Sequence, residues 1–191
     1  MNLGIIKTIT LFLFITTIGF IGKTTEKKLQ INEATVTWKA YKVIGFHEGT
    51  VDLKEGYFTF ENDALTGGII TMDISSLVVT DLPEDKRGRV MDHLKSDDFF
   101  STETYPTSTI KITSVKGEKG KYEVTGDLTI KNITNPITFN LDIVDNVATT
   151  ALKIDRTKFD IKFRSASFFD DLKNRAIADE FDINVSLKFG N

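Results

Sequence analysis

The chain has 191 residues, which fits one domain, and its lack of cysteine leaves core and backbone pairing, not disulfides, to hold it. A formal net charge of −3 with no basic stripe excludes the electrostatic footprint of a nucleic-acid binder. Hydrophobic and charged fractions of 40% and 27% are ordinary for a globular protein, but 15 Phe against 4 Tyr and 1 Trp point to a thick core or a lined cavity.

Residues 1–22 carry one charge, Lys7, and Ile9 to Ile21 is an unbroken run of apolar, glycine and hydroxyl residues. That run falls short of the roughly 20 residues of a comfortable transmembrane helix. A basic residue followed by a short apolar stretch is the pattern of a signal peptide, cleaved or retained as an anchor. Thr17-Ile18-Gly19 and Phe20-Ile21-Gly22 offer small residues for cleavage. The expectation is export, with the mature domain over residues 28–191.

From Lys28 onward the dominant period is two, the mark of half-buried strands. Val36, Trp38 and Ala40 alternate with Thr35, Thr37 and Lys39. Val51 and Leu53 follow, then Phe58 and Phe60 about Thr59, then Ile70, Met72 and Ile74. Asp81-Leu82-Pro83-Glu84 reads as a helix start, with Asp81 as cap, and Val90, Met91, His93 and Leu94 form a modest helical face as far as Ser96. Gly88 limits this helix, expected near 84–96, to two or three turns. Strands resume with Ile110 and Ile112, then with Tyr122, Val124, Leu128 and Ile130. Ile137, Phe139, Leu141 and Ile143 follow, then Leu152 and Ile154, and the cleanest alternation runs from Phe181 to Phe189. Turn signals separate the runs at Asn62-Asp63, 116–120, 132–136 and Asp145-Asn146.

About eight short strands joined mostly by hairpins predict an all-β sandwich or barrel, and closing the sheet removes its edges. Eight antiparallel strands enclose a space that side chains fill or that holds one small ligand. Phe46, Phe99, Phe100, Phe159, Phe163, Phe168 and Phe169 fall outside the strand alternation, in connections that are ordinarily polar. They line a mouth or plug the barrel end as core, and spacing alone does not choose.

Chemistry-bearing motifs are sparse. The two histidines, His47 and His93, are far apart and no cysteine accompanies them, so no zinc site of usual composition is expected. Asp97-Asp98 and Asp170-Asp171 read more readily as loop turns than as acid/base pairs. No nucleophile elbow, P-loop or dinucleotide fingerprint is present. No catalytic residue, metal or cofactor is expected.

Several segments read together resemble a known family. They are Val43-Ile44-Gly45-Phe46-His47-Glu48-Gly49-Thr50-Val51, and His93-Leu94-Lys95-Ser96-Asp97-Asp98-Phe99-Phe100 with Tyr105-Pro106-Thr107 after it. Val124-Thr125-Gly126-Asp127-Leu128-Thr129-Ile130-Lys131, Thr134-Asn135-Pro136-Ile137, Asp155-Arg156-Thr157-Lys158-Phe159-Asp160-Ile161 and Ser167-Phe168-Phe169-Asp170 complete them. The pattern is similar to the YceI-like family of exported polyisoprenoid-binding proteins, over roughly residues 30 to 189. Lys131-Asn132-Ile133-Thr134 departs from it where a glycine usually follows the lysine, and Phe163-Arg164-Ser165-Ala166-Ser167 replaces a more glycine-rich stretch.

The resemblance implies an eight-stranded, lipocalin-like antiparallel barrel with a helical insertion, located in the periplasm. Its ligand would be an isoprenoid quinone or polyprenyl lipid held along the barrel axis, and homodimers and transient membrane contact are further expectations. Strand parity and the aromatic pairs give candidate wall residues Trp38, Phe58, Phe60, Ile70, Met72, Phe99, Phe100, Phe139, Phe168 and Phe169. Candidates for a head group at the mouth are His93, Tyr105, Arg156, Arg164 and Asp170. Two other readings stay open: an exported stress-related scaffold with a filled barrel, and an enzyme acting on a lipid.

Overall fold

A strand with one apolar face must bury that face, and eight such strands in sequence order do so here by curling into a barrel. The computed structural model describes residues 25–190, and the apolar leader at 1–22 lies outside the described residues. The strands are β1 Glu26–Lys42, β2 Phe46–Glu61, β3 Ala64–Val79, β4 Thr107–Glu118, β5 Lys121–Ile130, β6 Ile133–Val144, β7 Val147–Asp155 and β8 Ile177–Gly190. Each pairs antiparallel with its sequence neighbour, and β8 pairs with β1 to close the barrel. Helix α1, Glu84–Lys95, lies between β3 and β4, and 3₁₀ turns at Arg156–Phe159 and Lys173–Arg175 lie between β7 and β8.

Three of the hairpins turn on two residues with positive φ: Asn62-Asp63, Lys131-Asn132 and Asp145-Asn146. This is the type I′ geometry whose twist matches that of the strands, and Asn and Asp tolerate it best. The turn expected over 132–136 is therefore tighter and earlier. Lys131 (φ 51°) and Asn132 (φ 59°) make it alone, and Ile133 to Pro136 already belong to β6.

Apolar parity faces inward and polar parity outward. Thr71 and Thr109, Thr125 and Thr138, and Thr129 and Thr134 pair their hydroxyls across neighbouring strands at 2.8–3.2 Å on the outer side. An outward Thr, Lys and Asp surface around an apolar interior is the inverse of a membrane-spanning barrel. Val51 and Phe58 both point inward despite opposite parity, because the β2–β3 register slips between Leu53 and Glu55.

The two ends differ. Leu29, Ile31, Phe58, Phe60, Leu65, Tyr122, Val124 and Phe189 fill the end that carries the β2–β3, β4–β5 and β6–β7 turns, all of them 8% exposed or less. Phe189 packs edge-on against Phe58 at 5.1 Å and stacks with Phe60 at 5.5 Å. The other end carries the β1–β2 turn, the α1 connection, the β5–β6 turn and the long β7–β8 connection.

One wall is thin as well. Pairing of β6 with β7 runs only from Asp142↔Thr149 to Val144↔Val147, whereas β5–β6 pairing runs the whole length of β5. Above that ladder Thr150 Oγ1 donates to the Asn140 carbonyl at 2.6 Å, and Asn135 Nδ2 donates to the Lys158 carbonyl at 3.0 Å. Pro136, which has no N–H to give a ladder, falls in the stretch of β6 that pairs with β5 and not with β7.

Helix α1 begins differently from the sequence expectation. Pro83 occupies the N-cap position and no side chain caps the helix. Asp81 is engaged elsewhere: Oδ1 accepts the Glu48 N–H at 3.0 Å and Oδ2 accepts from His47 Nδ1 at 2.9 Å. It thus ties the start of the α1 connection to β2. Burial favours the neutral acid, but the Glu48 N–H and His47 outweigh it and hold the Asp81 carboxyl below its ordinary range.

Candidate functional site

Above the aromatic floor the inward side chains do not meet across the axis, and they leave a cavity of about 190 Å³. Its wall is assembled from every strand. Trp38 comes from β1, Phe58 from β2, Ile70, Met72 and Ile74 from β3, and Ile110 from β4. Leu128 and Ile130 of β5, Ile137 and Phe139 of β6, Leu152 and Ile154 of β7, and Phe181, Ile183 and Val185 of β8 complete the ring. Ile137, Phe139, Leu152, Phe181, Ile183 and Val185 point inward yet are only partly buried, because the cavity and not another side chain is their neighbour.

Trp38 lies flat against its own wall because β2 has a glycine beside it. A Cβ on Gly49 would stand 2.7 Å from the indole and 1.8 Å from the Val78 carbonyl oxygen. The indole Nε1 donates to the Thr50 carbonyl at 3.2 Å, so the ring offers the cavity only its apolar surface.

The mouth is roofed by the segment that follows α1. Ser96 Oγ donates to the His93 carbonyl at 2.8 Å, and the N–H groups of Phe99 and Ser101 fold back onto the Ser96 carbonyl. This tight winding brings Leu94, Phe99 and Phe100 onto the cavity. Val90, Met91 and Leu94 pack on Trp38, Leu77 and Val79, although no α1 residue is fully buried. From the β7–β8 side, Phe159 and Ile161 complete a second apolar cluster with Phe99, Leu128, Ile130 and Ile154.

Among the described residues, polar groups on the wall are few: the Ser108 and Thr150 hydroxyls and one cation, Arg156. Arg156 is 2% exposed, and its guanidinium is occupied. Nε donates to the Ala178 carbonyl at 3.0 Å, Nη1 to the Ile161 carbonyl at 2.6 Å and Nη2 to the Ile177 carbonyl at 3.0 Å. The Asp179 carboxylate stands 3.6 Å from Nη2, and the Phe99 ring lies 5.7 Å away. Burial lowers the arginine's affinity for its proton and Asp179 and Asp155 oppose that, and arginine stays charged in either case. Arg156 thus pins the start of β8 to the turn after β7 and turns one edge of a fixed cation to the cavity.

The residues singled out in the sequence divide by place. Trp38, Phe58, Ile70, Met72, Phe99, Phe100, Phe139 and Arg156 lie on the cavity wall. Phe60 lies in the floor stack instead, and Phe168 and Phe169 are about half exposed on the β7–β8 connection, away from the wall. Tyr105 is half-buried off the wall, and exposed Arg164 sits over the Phe163 ring at 5.0 Å. His93 is wedged between Phe163 at 4.4 Å and Phe99 at 5.7 Å, behind the wall. Asp97, Asp98, Asp170 and Asp171 are exposed, as expected of turn residues. Among the described residues no three His, Asp or Glu converge as metal ligands. The wall positions missed include one aromatic, Phe181, and several aliphatics, among them Ile110, Leu128, Ile137, Leu152 and Ile183. They share the parity of the aromatic ones, so the signal was present in the alternation.

Similar proteins share this architecture. The chain is 39% identical over 98 residues to the UPF0312 protein plu2095 of Photorhabdus laumondii and 34% identical over 98 residues to protein YceI of Escherichia coli O157:H7. Each match takes in 50% of this chain and 48% of the relative, so the chain spans about half the length of the curated relatives it matches. Among solved structures, Burkholderia cenocepacia BcnA superposes with a TM-score of 0.63 at 20% identity, over 84% of this chain and 99% of that one. A polyisoprenoid binding domain from Saccharophagus degradans, implicated in plant cell wall breakdown, gives 0.58 at 13% identity, over 88% and 99%. At these identities the likeness is one of fold. The model of the YceI-like domain matches residues 27–189, from the first strand to the last, and the chain belongs to that family.

Proposed function

We propose that this protein is an exported, periplasmic binding protein that holds one isoprenoid-type lipid chain, a quinone or polyprenyl tail, inside the barrel and does no chemistry on it. The observation that carries this reading is the cavity itself, a roofed but partly open apolar space whose only titratable lining group among the described residues is a hydrogen-bonded arginine. General acid–base catalysis needs a group that exchanges protons near neutrality, and a guanidinium does not. The apolar leader supports export, and the name of the Saccharophagus domain supports the ligand class.

The sizes agree. A water-sized occupant needs about 10–15 Å³ of such a volume, so the cavity takes on the order of a dozen heavy atoms, or two to three isoprene units. At about 0.8 kcal/mol per buried CH₂-sized group, that many carbons supply on the order of 8–12 kcal/mol gross. Ordering the chain takes back roughly half, which leaves about 4–6 kcal/mol, or binding between about millimolar and tens of micromolar. A longer tail would extend out of the mouth or along the thin β6–β7 wall, which Ile137, Phe139, Leu152 and Ile154 flank.

Native mass spectrometry of gently purified protein, followed by organic extraction, tests the reading. The expected result is one apolar lipid per barrel and saturable uptake of a fluorescent prenyl probe. A barrel with no extractable lipid and no probe uptake would support the filled-scaffold reading instead.

A further inference from the structure

Seven large apolar side chains stand exposed among the described residues, and six of them lie at the mouth end: Tyr41, Val43, Ile44, Phe46, Phe168 and Phe169. Only Val144 lies at the floor end. The six come from two segments that touch. The Val43 N–H donates to the Ala176 carbonyl at 3.2 Å, and the Ile177 N–H donates to Arg164. Phe168 and Phe169 turn back onto the Ser165 carbonyl in the same connection. The β1–β2 turn and the β7–β8 connection therefore form one lip beside the mouth. Its tip stands clear of the body: Ile44 is 68% exposed, and a Cβ on the adjacent Gly45 would meet nothing within 4 Å.

Charge follows the same lip. The β7–β8 connection adds Lys158, Lys162, Arg164, Lys173 and Arg175 at the surface against Asp160, Asp170 and Asp171, in a chain whose net charge is −3. Among the described residues, only Lys162 of these cations lies within ion-pair distance of a carboxylate, Asp160 at 2.8 Å. Cations and rings are interleaved: Lys39 Nζ lies 3.6 Å from the Phe46 centroid and Lys162 Nζ 5.1 Å from that of Phe168. Across the mouth, the α1 connection carries more acidic than basic residues, so the basic character belongs to the lip alone.

Exposed aliphatic and aromatic tips among lysines and arginines suit a surface that is anionic outside and apolar just beneath. A second copy fits poorly, since a two-fold contact through the lip would set its unpaired cations against their own copies. We propose that this lip docks the mouth of the barrel on an anionic bilayer, with Val43, Ile44, Phe168 and Phe169 entering the interface and the cations over lipid phosphates. The lipid-holding reading underlies only what passes through the mouth once docked.

The test uses protein beginning at residue 25, which contains every strand of the barrel and omits the apolar leader. Flotation with phosphatidylglycerol–phosphatidylcholine vesicles should show salt-sensitive binding well above that to phosphatidylcholine alone. Replacing Ile44, Phe168 and Phe169 together with Ser should cut it at least tenfold. Each of Lys173→Gln and Arg175→Gln should cut it by roughly fivefold. Near-UV circular dichroism and probe uptake in vesicle-free solution should not change in these variants. Equal binding to both vesicle types, or binding indifferent to the Ser variant, overturns the proposal. So does a wild-type dimer that the Ser variant dissociates in sedimentation, which would make the lip a self-association surface. Vesicle binding and lipid extraction are independent readouts, so docking can hold where the carrier reading fails, and the reverse.

Discussion

Phe181 and Phe189 sit on one strand, eight residues apart and on the same inward face, and they meet different surroundings. Phe189 is 3% exposed, locked against Phe58 and Phe60, whereas Phe181 is only partly buried and looks into the cavity. The floor spends its aromatics on each other, and the upper half turns them toward space. Identical patterning therefore yields a packed core at one end of the barrel and a binding volume at the other. What separates them is whether the side chains across the axis are long enough to meet.

That contrast should appear first in stability. Phe189→Ala removes the ring on which two others rest and should cost about 3–5 kcal/mol. Phe181→Ala only enlarges an existing cavity and should cost less than half of that. Urea unfolding of both variants checks it, and equal losses would mean that the upper half is as well packed as the floor. Arg156→Met comes next, at about 3 kcal/mol, because one buried and two partly buried carbonyls lose their donor and Asp179 loses its cation. Arg156→Lys should recover little of this, since one ammonium cannot reproduce the planar fork that reaches three acceptors.

Adding volume sharpens the comparison from the other side. Ala148 is fully buried near the floor, and Ala148→Phe should destabilise by about 1–3 kcal/mol through overpacking. Val185→Phe, on the cavity wall, should change stability by less than about 1 kcal/mol and still abolish prenyl-probe uptake. Loss of uptake without loss of stability is the signature of a filled cavity, and a calorimetric melt beside a fluorescence titration reads both.

Much of this was legible in the sequence. The alternations in all eight strands marked out an apolar face, because one buried face imposes a period of two whatever else the chain does, but which parity turns inward was not legible. The helix was visible in its own periodicity, and Phe99-Phe100 stood out as mouth lining or end plug, a choice that spacing left open. Depth along the axis was not legible either, since parity says which side chains share a face and not what lies opposite. Phe60 was accordingly grouped with the wall when a register slip and Phe189 place it in the floor. Phe168 and Phe169 misled for a different reason. Apolar residues in a connection look like a folded-in plug, yet the connection turns them outward onto the lip. Asp81 followed a sound local rule for helix caps, and a partner 34 residues earlier in the chain overrode it.

That displaced aspartate supplies the smallest and sharpest test. Lys42 Nζ lies 2.9 Å from His47 Nε2, and His47 Nδ1 lies 2.9 Å from Asp81, so the imidazole bridges the lysine and the carboxylate. Because the folded-state pKa of Asp81 is depressed, its contribution to stability is fully present above the unfolded carboxylate value, near pH 4, and is lost as pH falls through the lower folded value. Other carboxylates titrate in the same window, so the informative quantity is the difference between wild type and Asp81→Asn. The variant should be less stable by about 1 kcal/mol above pH 5. The gap should close toward pH 3, because the wild type then also lacks the charge. Urea midpoints between pH 3 and 6 measure it, and a gap constant with pH would show that Asp81 holds the α1 connection by shape and not by charge.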